Sequence, residues 1–170
     1  MRLTLIRHGD ASQEASRDEE RALTKRGRAD SRRVGRALER RGVRFSAVIT
    51  SPLVRAVQTA EIVVGAMDRR RVRVTVSNVL VPEGQPQNVI KLLEGLAEAD
   101  GKSVALVAHE PLLSRVAALV LGVSRFPPLR KGEALRIKLA DGPSRPGSAR
   151  WRLDPETGRR RRVHLSSKAT

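Results

Sequence analysis

The sequence predicts an α/β fold, a three-layer αβα sandwich in which a mostly parallel central sheet carries helices on both faces. Two observations lead to this fold class. Short apolar segments rich in β-branched residues alternate along the chain with longer segments of helical periodicity. Parallel strands need long crossover connections, so this alternation favours βαβ units. A length of 170 residues is close to that of one domain.

Six strands are predicted from short apolar runs, which are separated by turn-forming or polar residues. In chain order they cover residues 3–6, 45–50, 72–76, 103–108, 134–139 and 150–153. The first and fourth are strongly apolar, which is typical of buried strands. The last two flank a loop at residues 141–148 and predict a terminal hairpin or an antiparallel edge of the sheet.

Four helices are predicted between these strands. They cover residues 24–41, 53–67, 88–99 and 112–121. Thr24 is a candidate N-cap and Gly42 a stop for the first helix, while Pro52 and Pro111 stand at the beginnings of the second and fourth. No internal repeat is visible, so residues 1–157 are expected to form a single domain.

Residues 158–170 are expected to form a basic, mobile C-terminal tail, because they contain four consecutive arginines and little apolar material. Such a tail can attract an acidic partner or remain solvated. His164 lies in this segment, and its isolation argues against a metal cluster. The absence of cysteine excludes disulfides and thiolate chemistry.

The formal net charge of +16 predicts attraction to anions, whether nucleic acid, acidic protein surfaces or phosphorylated small molecules. No tyrosine, two phenylalanines and one tryptophan leave little aromatic surface for stacking bases, which argues against a nucleic-acid partner. No apolar run approaches the roughly 20 residues that span a bilayer, and Arg7 interrupts the apolar beginning of the chain. A cytoplasmic location without membrane contact is predicted.

Two of the three histidines, His8 and His109, follow strongly apolar predicted strands. In an open α/β sheet, ligands bind at the carboxyl ends of the strands, where distant residues converge. Arg7 precedes His8, and Arg55 lies in the first turn of the second predicted helix, whose N-terminus attracts anions. Guanidinium groups can hold phosphoryl oxygens while an imidazole attacks phosphorus. These residues predict phosphoryl transfer that requires no metal or other cofactor.

The motifs around these residues resemble the histidine phosphatase superfamily. Arg7-His8-Gly9 after a strand is the hallmark of that superfamily. Three further segments resemble its motifs in the same order: LTKRG at 23–27, TSPLVRAVQTA at 50–60 and VAHEPLLS at 107–114. The small size and the His-x-Pro-x-x-Ser sequence from His109 look most like the SixA-type phosphohistidine phosphatases. The resemblance runs from residue 2 to about residue 153.

This resemblance implies that His8 is the nucleophile and is transiently phosphorylated. It also implies that Arg7, Arg55 and His109 bind the phosphoryl oxygens. The chemistry of the residues agrees, because nearby arginines disfavour protonation of His8 and so keep its lone pair available.

The proton donor stays open. Many phosphomonoesterases of the superfamily use a glutamate after the third strand, and Glu83 lies in that region. SixA-type members generally lack this acid, so Glu83 is either the general acid or an exposed loop carboxylate. Asp10 and Glu110 also adjoin the histidines. Asp10 can cap a turn, and Glu110 replaces the asparagine or glycine often found at its position.

Three functions are compatible with these residues. The first is a phosphatase that acts on phosphohistidine in a protein partner, such as a phosphocarrier domain. The second is a phosphatase on small phosphoesters, and the third is a basic phosphate-binding module without turnover. The first is preferred, because an imidazole leaving group with a pKa of about 6.5 needs little help from an acid.

Overall fold

The computed structural model describes residues 1–67, 72–98, 102–140, 143 and 145–163. In this part of the chain, strands and helices alternate as predicted. The elements are β1 (Arg2–Arg7), α1 (Lys25–Arg40), β2 (Ala47–Thr50), α2 (Val54–Ala66), β3 (Val74–Val76), α3 (Pro86–Glu98), β4 (Ser103–Ala108), α4 (Leu112–Leu121), β5 (Ala134–Lys138), β6 (Ser148–Leu153) and β7 (Arg160–Arg161). Two 3₁₀ turns, Asp18–Glu20 and Asn78–Leu80, were not predicted.

The strands form one mixed sheet in the order β3-β2-β4-β1-β5-β6-β7. The first four in this order run parallel to one another. β5 then pairs with β1 in the antiparallel sense, and β6 and β7 continue the antiparallel edge. The predicted fold class is confirmed, and the predicted antiparallel edge is one strand wider than the sequence pattern indicates.

Two apolar cores lie on opposite faces of the sheet and make the three layers. Val104 and Leu106 of β4 join the core beneath α3 and α4, whereas Ala105 and Val107 join the core beneath α1 and α2. This alternation follows from the period of two along a strand. All six residues of β4 are buried, because this strand lies inside the sheet and is covered on both faces.

The helix boundaries have local causes that the sequence shows. The Thr24 hydroxyl accepts a hydrogen bond from the Gly27 amide and caps α1, as predicted. Gly42 follows α1 with a φ of 66°, a conformation that glycine adopts without strain. α3 begins at Pro86, two residues before its predicted start, since proline is tolerated in the first turn of a helix. No described helix is both long enough and apolar enough to cross a bilayer.

The beginning of the predicted mobile tail has a defined position. Arg160 and Arg161 form β7 against the end of β6. Asp154 holds this turn, because its carboxylate contacts the Arg161 guanidinium at 2.6 Å and its backbone amide donates to the carbonyl of Arg159. His164 and the rest of the predicted tail lie outside the described residues, and the predicted domain boundary stays a prediction.

Candidate active site

The carboxyl ends of β1 and β4 bring the two predicted site histidines together. Arg7 and Ala108 are paired in the register of these parallel strands, and the His8 amide donates to the Ala108 carbonyl at 3.0 Å. The rings of His8 and His109 are consequently 4.9 Å apart between centroids. Parallel pairing of β1 with β4 therefore brings His8 and His109 into contact, although they lie about a hundred residues apart in sequence.

The His8 ring has a fixed tautomer. Its Nδ1 lies 2.7 Å from the carbonyl oxygen of Gly9. A carbonyl oxygen only accepts hydrogen bonds, so Nδ1 carries the ring proton and donates it. Nε2 therefore holds the lone pair, and it is the nitrogen able to attack phosphorus.

Two close contacts hold the loop that follows β1 between α1 and α2. A Cβ on Gly27 would lie 2.1 Å from the Asp10 carbonyl oxygen, so α1 can approach this loop only with glycine at that position. From the other side, the Gly9 amide donates to the Thr59 hydroxyl at 3.0 Å, and Thr59 donates to the Arg55 carbonyl at 2.7 Å. The segments at 23–27 and 50–60 thus fix the position of His8.

Arg55 extends from the first turn of α2 and is 4% exposed. Its two terminal nitrogens donate to Asp18, one to the backbone carbonyl at 2.6 Å and one to the carboxylate at 2.7 Å. Asp18 lies in the first 3₁₀ turn, its side chain is 57% exposed, and a second arginine, Arg21, also binds it. Hydrogen bonds from Arg55 and Arg21 hold the pKa of Asp18 below its usual value. In this structure the backbone carbonyl and the carboxylate of Asp18 therefore each occupy one terminal donor of Arg55, a predicted phosphate-binding residue.

Arg7 is positioned by the loop between α4 and β5. Its Nη1 donates to the Leu129 carbonyl at 2.7 Å, and the Leu129 amide donates to the Glu110 carboxylate at 2.8 Å. The Gly132 amide closes the same loop on β1 by donating to the carbonyls of Arg7 and His8, with a φ of 76° that favours glycine. Glu110 therefore acts on the pocket through Leu129, as a positioning residue for Arg7.

Ser51, which directly follows β2, holds the ring of His109. The Nε2 of that ring lies 2.8 Å from the hydroxyl of Ser51, which is fully buried. The sequence places Ser51 at the strand-to-helix junction but gives no sign of this contact. The other ring nitrogen, Nδ1, is buried and has no hydrogen-bond partner among the described residues.

Three buried polar atoms in this region have no hydrogen-bond partner among the described residues. They are Nε of Arg7, Nε of Arg55 and Nδ1 of His109. Each unpaired buried polar group costs about 1–3 kcal/mol, so such groups are rare in folded proteins. Three of them on the three predicted phosphate-binding residues indicate a site built for a polar ligand.

Burial and positive charge keep both histidines neutral. Burial lowers the pKa of His8 to about 4, with Arg55, Arg7 and Lys131 adding to the effect against the opposing hydrogen bond to Gly9. Burial and then the neighbouring His8 and Arg55 lower the pKa of His109 to about 3. At pH 7, His8 therefore carries a free lone pair inside a positively charged pocket.

These shifts predict the acid limb of the pH–rate profile. Attack by His8 requires its neutral form, so kcat/KM should hold as pH falls through 6.5 and should decline only near pH 4. The profile is measured with a phosphomonoester and corrected for the ionisation of that substrate. Because unfolded histidine has a pKa of about 6.5, protonation favours the unfolded state increasingly below that pH. Circular dichroism at each pH is therefore the control, and an acid limb near pH 6.5 in folded protein would contradict this assignment.

The two other predicted carboxylates, Asp10 and Glu83, differ in their contacts. Asp10 accepts a hydrogen bond from Thr24 and forms an ion pair with Lys131 at 2.7 Å, and the Lys131 hydrogen bond lowers its pKa. Glu83 is exposed in the turn before α3 and makes no hydrogen bond or ion pair with a described residue. The structure thus brings the rings of His8 and His109 into contact, with Arg7 and Arg55 near enough for their charges to lower the pKa of both histidines, and Glu83 makes no hydrogen bond or ion pair with these residues.

Sequence reasoning missed Asp18, Lys131 and Ser51. Asp18 stands beside two glutamates in an acidic segment, and no local pattern sets it apart. Lys131 lies in a loop whose position depends on Gly132 and on contacts with β1. Among the described residues, no group of three or more His, Asp or Glu side chains is arranged to hold a metal ion.

Comparison with known proteins identifies relatives with the same arrangement of elements. The model of the histidine phosphatase superfamily (branch 1) matches residues 3–80. The phosphohistidine phosphatase SixA of Escherichia coli K12 is 30% identical over 155 residues, which cover 91% of this chain and 94% of that protein. A structure of the protein histidine phosphatase SixA complexed with tungstate has a TM-score of 0.84 at 28% identity, covering 91% of this chain and 97% of that chain. The alpha-ribazole phosphatase of Shigella flexneri shares the fold, with a TM-score of 0.68 at 20% identity over 88% of this chain and 95% of that one.

Proposed function

This chain belongs to the histidine phosphatase superfamily, and we propose that it hydrolyses phosphohistidine on a protein partner, such as a phosphocarrier domain. The observation that carries the proposal is the group of unpaired buried polar atoms on Arg7, Arg55 and His109 beside the neutral ring of His8. Similarity to the phosphohistidine phosphatase SixA over most of both chains supports the choice of substrate.

The proposed reaction has two steps. His8 Nε2 attacks phosphorus and a new N–P bond forms, while the N–P bond of the substrate breaks and its imidazole, already protonated on the other ring nitrogen, leaves as a neutral ring. Water then attacks the phosphoryl group on His8 and releases inorganic phosphate together with the neutral imidazole of His8. In both steps Arg7, Arg55 and His109 stabilise the negative charge on the non-bridging oxygens.

Both the carboxylate and the backbone carbonyl of Asp18 must leave Arg55 before a phosphoryl group can use the two terminal donors of that arginine. The exchange replaces one anion by another that carries more charge, so the Arg55 side chain stays paired in either state. The side chain of Asp18 is more than half exposed, which leaves it room to move into solvent.

The carboxylates nearest the pocket argue for an imidazole leaving group. An alkoxide must be protonated as it leaves, whereas an imidazole is a good leaving group at neutral pH. Hydrogen bonds to Arg55 and Lys131 respectively lower the pKa of Asp18 and Asp10, so both are ionised and neither can donate a proton at pH 7. Glu83 is exposed, which fits a loop carboxylate.

A side-by-side assay with a phosphohistidine protein and a simple phosphomonoester tests the proposal. We expect the wild-type enzyme to prefer phosphohistidine. We also expect Glu83→Gln to leave phosphohistidine cleavage within about twofold of wild type, since the leaving group has little proton demand. Glu61→Gln is the matched control, since Glu61 is also an exposed glutamate but lies on α2.

The alternative function makes the opposite prediction. If Glu83 is a general acid for small phosphoesters, Glu83→Gln should lower phosphomonoester turnover by about 10²–10⁴-fold. That result, together with a wild-type preference for phosphomonoesters, would overturn the phosphohistidine proposal and leave the role of His8 intact.

A further inference from the structure

A basic cavity lies at the edge of the sheet opposite the pocket of His8. Its volume is about 700 Å³, and its lining contains seven lysine or arginine residues and no aspartate or glutamate. Arg2 lines it at the start of β1, whereas His8 follows the end of the same six-residue strand. At about 3.3 Å per residue, the two sites are roughly 20 Å apart. The cavity is therefore separate from the phosphoryl-transfer site.

Arg136 forms the floor of this cavity and is 6% exposed. Its terminal nitrogens donate to the hydroxyls of Thr4 at 2.5 Å and Ser103 at 3.0 Å, which are neutral acceptors. No described carboxylate binds it, although buried charges in proteins are normally paired with an opposite charge. Burial and the neighbouring Arg2 lower the pKa of Arg136 to about 10, so it keeps its charge at pH 7. Its positive charge is thus uncompensated within the described part of the chain.

The other cations of the cavity increase this excess of charge. Arg41 donates to the carbonyls of Ala37 and Gly158, again without a carboxylate. Arg150 and Arg160 add two exposed guanidinium groups to the wall. An anion with several charges would relieve the mutual repulsion of these groups and satisfy their free donors.

One wall of the cavity contains Trp151, the single tryptophan of the chain. The flat indole can stack against a base, and the neighbouring guanidinium groups can form ion pairs with phosphates. The volume lies within the range of 300–1,000 Å³ that is typical of small-ligand sites. The wall carries one aromatic residue, and a longer nucleic acid would need a series of them.

We propose that this cavity is a second, non-catalytic site that binds a nucleoside polyphosphate, with the phosphates on Arg136 and its neighbouring arginines and the base against Trp151. Contiguous phosphates supply the negative charge that would compensate the buried guanidinium group of Arg136. The base accounts for an aromatic side chain in an otherwise basic wall. The proposal does not depend on the substrate of the His8 site.

Trp151 provides the test, because its fluorescence reports on this cavity alone. We expect ATP to quench it saturably at 0.15 M salt, and we expect the same titration in His8→Ala. Arg2→Ala/Arg150→Ala should weaken ATP binding at least tenfold, and neither side chain makes a hydrogen bond or ion pair with a described residue. Arg136→Gln should weaken it similarly where circular dichroism shows a folded protein.

Arg28→Ala/Arg115→Ala is the matched control, since it removes the same two charges from exposed positions outside the cavity. If both double variants weakened ATP binding equally, the proposed site would be overturned, because the overall positive charge of the protein would then account for the binding. Binding of inorganic tripolyphosphate as tight as that of ATP would overturn the role of Trp151 and the base. Displacement of ATP by a single-stranded oligonucleotide that binds more tightly than ATP would assign the surface to nucleic acid instead.

Discussion

Replacing His8 with alanine is expected to lower steady-state phosphatase turnover by on the order of 10⁴-fold or more. The variant lacks the only group proposed to accept the phosphoryl group, and water must then attack the substrate directly. The buried donors of Arg7, Arg55 and His109 remain, so the variant should still bind inorganic phosphate or tungstate. Release of phosphate from a phosphohistidine protein is the measurement.

Binding and folding serve as the controls for His8→Ala. Thermal unfolding and tungstate binding should both stay close to those of the wild-type enzyme. Turnover within about tenfold of wild type, in a protein that is folded and binds tungstate, would show that His8 is not the nucleophile.

Replacing Arg55 with lysine should lower kcat by about 10²–10³-fold, the effect expected on removing one preorganised donor to the transition state. Lysine keeps the charge but lacks the planar fork that can bind two phosphoryl oxygens. The terminal nitrogens that contact Asp18 and the unpaired Nε are all lost in this variant. Single-turnover kinetics with saturating substrate separate this effect from weaker binding.

Asp18→Asn is the matched control for Arg55, because it removes the negative charge bound to one terminal nitrogen of Arg55 and leaves the guanidinium fork in place. We expect its turnover to stay within a few-fold of wild type, and we expect tungstate to inhibit it more tightly. If Arg55→Lys lost no more activity than Asp18→Asn, the two guanidinium donors would have no special role in the transition state.

Elements with a strong apolar pattern and a clear beginning were predictable from the sequence. β4 and α4 have the predicted bounds, because an apolar run after a turn and a helix beginning at a proline leave few alternatives. The edge where His8 and His109 meet was predictable as well, since the carboxyl ends of parallel strands share one edge. The closeness of the two rings follows from the pairing of β1 with β4.

Contacts between loops were not predictable in the same way. The partner of Arg55 is 37 residues away in an acidic 3₁₀ turn, where Asp18, Glu19 and Glu20 look alike in sequence. Arg7 depends on a carbonyl of a loop 122 residues away. Such contacts depend on tertiary packing, and local residue patterns carry no signal for them.

Arg136 shows what a strand pattern leaves undetermined. In β5 the charged residues Arg136 and Lys138 alternate with Leu135 and Ile137, which fits the strand predicted at 134–139. Arg136 is almost fully buried, and its guanidinium group donates to Thr4 of β1 and Ser103 of β4. The alternation identified the strand but not the burial of Arg136.

The central claim is that His8 accepts the phosphoryl group, and mass spectrometry of enzyme quenched within the first turnover tests it most directly. We predict a phosphate on His8 that acid removes and that is missing from His8→Ala, because the two-step reaction passes through an N–P bond on this ring. The quench must therefore avoid acid. Phosphate found only on another residue during turnover would contradict the account.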